Sequence, residues 1–265
     1  MPDTGFPELD ELLEEVTASM QSTLGDHLVG LYLQGSFALG DADEHSDVDW
    51  IAVTEDELTQ DQVSALQKLH ATLYARETPW AQHLEGSYFP KGRIRRVESR
   101  PAELWFLDNG SSQLALDTHC NTAIVRWMVR ERGITLAGPD PKELIDPVSE
   151  DDLRAYAGWA LGEWLEWAKS LTSMSRRAQN LLVVSFCRIL QTLETGEVTT
   201  KREAGEWALE SVPDEWSSLI TDALDDRPDP WIKVQKPAAP DAVERTLAFA
   251  DYALSRPRPP RPSPA

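Results

Sequence analysis

The stretch LQGSFALGDADEHSDVDWIAV, residues 33–53, constrains this chain more than any other. Gly35-Ser36 closes one apolar run, and nine residues later Ser46-Asp47-Val48-Asp49 opens the next. If residues 47–53 form a strand, Asp47, Asp49, Ile51 and Val53 share one face, and Val48, Trp50 and Ala52 the other. Two acids on one face, at the start of an otherwise apolar strand, are costly unless something binds them. Two hard oxygen donors so close together suit Mg²⁺, which is commonly held by one or two carboxylates plus substrate phosphates. Gly35 permits close backbone approach, and the Ser36 hydroxyl with nearby N–H groups suits phosphate oxygens. The stretch predicts nucleoside-triphosphate binding through two metals, with in-line attack on a phosphate.

The surrounding pattern supplies the scaffold. Residues 7–24 carry Leu9, Leu12, Leu13, Val16, Met20 and Leu24, the stripe of an amphipathic helix. HLVGLYLQ (27–34) and SDVDWIAVT (46–54) read as strands, a helix is expected over about 55–74, and AQHLEGSYFP (81–90) reads as a third strand ended by Pro90. PAELWFLD (101–108) reads as a fourth strand or an edge piece. Glu85 falls on the third strand, with His83 and Ser87 on its face; a carboxylate there can take a proton from an attacking hydroxyl. Beyond about residue 115 the segments read as helices, and seven of the ten tryptophans lie there. The expected fold class is α+β: a small mixed-sheet domain over 1–114, an α-helical bundle over 115–255, and a disordered Pro-rich tail over 256–265.

Composition narrows the function. A net charge of −20 argues against a nucleic-acid surface and suits a cationic small substrate, although acidity alone reads first as a solubility feature. No apolar run approaches the roughly 20 residues of a membrane span, and the acidic N-terminus lacks the pattern of a signal peptide, so a cytoplasmic location is expected. Cys120 and Cys187 form neither a disulfide framework nor a zinc pattern, and the five histidines lack metal-ligand spacing. Neither a Walker A loop nor a G-x-S-x-G elbow is present. Trp159, Trp164 and Trp167 are expected in the helical core, and Glu163 and Glu166 on a solvated face.

The pattern G-S-x9-S-D-x-D, with Gly40 inside it, resembles the signature of the polymerase-β-like nucleotidyltransferases. From about residue 9 to 255 the chain is similar to the aminoglycoside adenylyltransferases that modify streptomycin and spectinomycin, including LAGPDPKELIDPVSEDDL and TGEVTTKREAGEWALESVP. That resemblance implies a nucleotidyltransferase domain, a C-terminal helical domain and an active site in the cleft between them. It implies Asp47 and Asp49 as Mg²⁺ ligands, Glu85 as general base, and Gly35, Ser36, Ser46, Asn121, Arg188 and Lys201 as nucleotide contacts. Asn121 stands where the family has an aspartate. Arg176 and Arg177 stand where streptomycin-modifying members carry acids, and cations opposite a cationic drug are unfavourable. Spectinomycin, another aminoglycoside or an unrelated hydroxyl compound stay open as acceptors. The expected reaction moves AMP from ATP to a hydroxyl of a cationic small molecule, by a monomer that binds neither nucleic acid nor membrane. Two alternatives are a protein or RNA acceptor and a regulatory protein of the same fold. The acidic surface argues against RNA, and intact Ser46, Asp47, Asp49 and Glu85 argue against lost turnover.

Overall fold

The structure is a computed structural model and describes residues 3–76, 78–171, 173–225 and 237–256. Its chain divides into two units, Met1–Val148 and Ser149–Ala265.

The first unit is built on strands β1 (Leu28–Leu33), β2 (Val48–Thr54), β3 (Leu84–Pro90), β4 (Leu104–Leu107), β5 (Leu114–Asp117) and β6 (Ile134–Ala137). They form one sheet in the order β5-β4-β3-β2-β1-β6. Only β2 and β3 pair in parallel. A parallel pair needs a crossover. The chain preceding the crossover supplies α1 (Pro7–Leu24) and the five-residue α2 (Gly35–Leu39); α3 (Gln60–Tyr74) and α4 (Pro79–Gln82) then make it. Thr59 and Gln62 form a reciprocal capping box, an arrangement worth about 1 kcal/mol. The cap fixes the start of α3, so residues 55–59 lie outside the helix expected from 55.

The sheet is covered on both faces, and every β2 residue except Asp49 is buried. On one face Trp50 stacks on His70 of α3, with ring centroids 5.6 Å apart. On the other, Tyr32, Ile51, Val53, Phe89 and Phe106 pack with Ile94 of α5 (Lys91–Ile94), Val129 of α6 (Ala123–Arg132) and Leu144 of α7 (Pro141–Leu144). Near-continuous apolar sequence is the mark of such a doubly covered strand.

The sheet therefore reaches well past the boundary expected at 114/115. β5 extends the sheet at one edge and β6 closes the other by pairing with β1. β5 (LALD) and β6 (ITLA) lack the aromatic run that marks β4 (LWFL), a strand of the same length, so 115–148 read as helical from α6 alone.

The second unit is helical: α8 (Glu150–Ser170), α9 (Arg176–Thr195), α10 (Lys201–Ser211), α11 (Ser217–Asp225) and α12 (Ala242–Ser255). Helix α9 packs against the other four, around Leu161, Leu182, Phe186, Cys187, Ile220 and Phe249. Ser149, Ser175 and Thr200 cap α8, α9 and α10 through their side chains. The buried stripe of α8 runs through Leu153, Ala157, Ala160, Leu161, Leu165 and Ala168. Trp159 and Trp167 fall off that stripe and are 53% and 38% exposed, which corrects their placing in the core; Trp164 packs partly against it. Glu163 and Glu166 are exposed, as expected, and Glu166 pairs with Lys169 at 3.2 Å. Both cysteines are buried thiols. The tail beyond Arg256 lies outside the described residues. Among the described residues no helix is long and apolar enough to cross a membrane.

Candidate active site

The acidic end of the central strands is set by register. Asp49 of β2 is the direct neighbour of Glu85 of β3, so the two carboxylates leave the same face of adjacent parallel strands. Further along that face lie Ile51 and Val53, beside Ser87 and Phe89. One face is thus polar where the strands begin and core where they end. Asp47 and Asp49 are half-buried, alternating with buried Ser46, Val48 and Trp50. The Val48 N–H donates to the His83 carbonyl at 3.0 Å, which holds the two strand starts level.

Gly35 faces this end directly. Its φ is +67°, and a Cβ built there would stand 1.9 Å from Asp49 Oδ2. The turn from β1 into α2 therefore requires glycine on two counts: the left-handed backbone and the carboxylate against its Cα. The Gln34 N–H donates to the Asp49 carbonyl at 2.8 Å, and the Gly35 N–H donates to Met128 Sδ at 3.0 Å. Ser36 is half-buried in the first turn of α2, and Gly40, at φ +76°, ends the helix.

Carboxylate oxygens beside a side-chain-free turn fit a small hard cation and a phosphate. Among the described residues no group of three or more His, Cys, Asp or Glu forms a metal cage. Two carboxylates are what Mg²⁺ needs when phosphates complete its shell.

Ser46 is 4% exposed; its hydroxyl donates to Asp43 Oδ1 at 3.1 Å and accepts the Asp43 N–H at 2.9 Å, which locks the loop that delivers Asp47. Asn121 is 1% exposed, its amide donates to Glu98 Oε2 and to the Ala102 carbonyl, each at 2.8 Å, and its oxygen accepts from Arg126 at 2.8 Å. Arg126 is itself fully buried, caged by the carbonyls of Arg93, Ile94 and Thr122 and lying over the Phe89 ring. Burial lowers its pKa to about 10, which leaves it charged. A buried guanidinium needs such partners, and Asn121 is one of them.

Sequence reasoning missed His119. Its Nε2 lies 3.2 Å from Glu85 Oε1; the histidine side chain is 59% exposed and the glutamate side chain 16%. The hydrogen bond that His119 donates to Glu85 raises the His119 pKa above the ordinary imidazole value. Burial works against that shift, and the charges of Glu85, Asp117 and Asp49 add to it. The residue stands two positions from Asn121 in THCN, and that adjacency was the only signal available. His83 is buried, with Nδ1 2.6 Å from Asn109 Oδ1, and His45 lies 3.6 Å from Glu44.

In the second unit, Arg188 is half-buried on α9 and Lys201 is exposed at the first position of α10, after the Thr200 cap. Arg176 and Arg177 form the first turn of α9. Cations there oppose the helix dipole, so their placement adds nothing to the helix itself.

Comparison with known proteins agrees with this architecture. Residues 13–100 match the family model described as nucleotidyltransferase domain, and residues 143–255 match the one described as aminoglycoside adenylyltransferase, C-terminal domain. The chain is 24% identical over 246 residues to spectinomycin 9-adenylyltransferase of Campylobacter jejuni, covering 87% of this chain and 92% of the relative. It is 25% identical over 246 residues to aminoglycoside (3'') (9) adenylyltransferase of Shigella flexneri, covering 84% and 87%. Its fold is similar to the crystal structure of spectinomycin adenyltransferase AAD(9) from Enterococcus faecialis with ATP and spectinomycin, with a TM-score of 0.72 at 18% identity, covering 93% of this chain and 99% of that one. The chain thus joins a region that matches a nucleotidyltransferase domain to one that matches the C-terminal domain of aminoglycoside adenylyltransferases, and over most of its length it is similar to enzymes of that kind.

Proposed function

We propose that this enzyme transfers AMP from ATP to a hydroxyl of an aminoglycoside or spectinomycin-type antibiotic. The observation that carries the reading is the register pair Asp49–Glu85, with the Gly35 turn against the Asp49 carboxylate. Asp47 and Asp49 would hold Mg²⁺, which when bound screens the phosphate charge and polarises the α-phosphate. Glu85 takes the proton of the acceptor hydroxyl. The acceptor oxygen bonds to the α-phosphorus, the bond to the bridging oxygen breaks, and pyrophosphate leaves with that electron pair. Ser36 and the Gly35 turn are assigned to the triphosphate. Arg188 and Lys201 are assigned to it as well, because a triphosphate needs cations beyond the metal.

The acceptor is the finer part of the proposal. The chain's charge of −20 favours encounter with a cation. Arg176 and Arg177 disfavour streptomycin, whose guanidinium groups would meet like charge. Pyrophosphate release from ATP and Mg²⁺, with spectinomycin and streptomycin supplied separately, tests this. Release with spectinomycin and none with streptomycin is expected. ATP binding with no release for any aminoglycoside would overturn the acceptor class, and absent ATP binding would overturn the nucleotide site.

A further inference from the structure

His119 is held as if its position mattered. Its backbone N–H donates to Asp117 Oδ1 at 2.7 Å, and the Asn121 N–H closes the turn on the Thr118 carbonyl at 2.9 Å. Asn121 is anchored in turn to Glu98, Ala102 and Arg126. The imidazole ring lies against Phe106 of β4, with centroids 5.1 Å apart and planes at 32°. Its Nε2 then meets Glu85 Oε1. An exposed histidine gains little stability from one such contact, yet a backbone turn, a buried amide and an aromatic ring all fix this one.

We propose that His119 is the positioning residue of the general base: its imidazole N–H fixes Oε1 of Glu85, leaving Oε2 for the acceptor hydroxyl. This rests on the reading of Glu85 given above. The groups facing the imidazole are Glu85 from β3, Asp49 from β2, Asp117 from β5 and the Phe106 ring from β4. The contact orients the carboxylate when the imidazole is charged and, in the Nε2–H tautomer, when it is neutral.

Steady-state kinetics of His119→Ala and His119→Gln across pH 5.5–9 test the proposal. His119→Ala should lower kcat about tenfold and change KM for ATP and acceptor less than about twofold, since it loosens a base rather than a binding contact. His119→Gln, which retains an N–H near the Nε2 position, should recover most of that loss. In the nucleotide-free protein, an NMR titration of His119 should shift down in Glu85→Gln. Unchanged kcat in His119→Ala, a loss carried by acceptor KM, or a His119 titration indifferent to Glu85→Gln would each overturn the proposal. If His119→Ala does not fold, the glutamine variant and the titration decide. Full turnover in Glu85→Gln would instead remove the assignment of the base itself, a failure distinct from that of His119 alone.

Discussion

His70 and His119 lie against opposite faces of one sheet, and their surroundings push them in opposite directions. His70, on α3, is 1% exposed, stacks on Trp50, and has Nε2 2.7 Å from the Tyr88 hydroxyl. Burial lowers its pKa to about 4 and raises that of the Tyr88 phenol. His119 is exposed beside a carboxylate, and its pKa is raised. One face excludes charge and the other gathers it at the strand starts. Both sides carry apolar core, and charge gathers only at the strand starts of one of them.

The largest expected break is at Gly35. In Gly35→Ala a Cβ would stand on the Asp49 carboxylate in left-handed backbone. Activity should fall by at least about a hundredfold as Asp49 is displaced, with stability falling by about 1–3 kcal/mol. A thermal melt together with an ATP-binding isotherm checks both.

The histidines provide the next test. His70 is neutral in the fold and titrates near 6.5 when unfolded, so its contribution is complete above about pH 6.5. It is lost as pH falls from there toward about 4. The loss is roughly 3 kcal/mol, and His70→Gln should remove that part of the acid sensitivity in urea denaturation at pH 7 and pH 4.5. His119 has the reverse sign: its attraction to Glu85 is complete below about pH 6.5 and fades as pH rises through the raised value.

Asn121→Ala sharpens the comparison more gently. It removes partners of Glu98 and Arg126, so stability should drop by about 1–3 kcal/mol. The KM for ATP should stay within about twofold. A large rise in that KM with unchanged stability would assign Asn121 to the nucleotide.

The same division explains what could be read from sequence. The stripe of α1 gave its bounds, Pro7–Leu24, because six apolar positions recur at helical spacing. β2 was legible because an apolar run began with alternating acids, and β3 because Pro90 ended it. The pairing of Asp49 with Glu85 follows from register, which no single strand displays. β5 and β6, no shorter than β4, were invisible because they lack its aromatic residues. His119 meets Glu85 only because β3 and β4 pair and a turn after β5 folds back, a contact between residues 34 positions apart. Family position suggested Asn121 as a nucleotide contact, and its bond to buried Arg126 has no sequence period to show it. The locking of Ser46 to Asp43 is local, but loop hydrogen bonds of that kind leave no pattern in composition.

A carboxylate at residue 85 is proposed to drive nucleotidyl transfer. The most direct measurement is ATP binding and pyrophosphate release for wild type and Glu85→Gln, with Mg²⁺ and spectinomycin. The account predicts unchanged ATP affinity with turnover reduced about 10²–10⁴-fold. Full turnover in Glu85→Gln would contradict it.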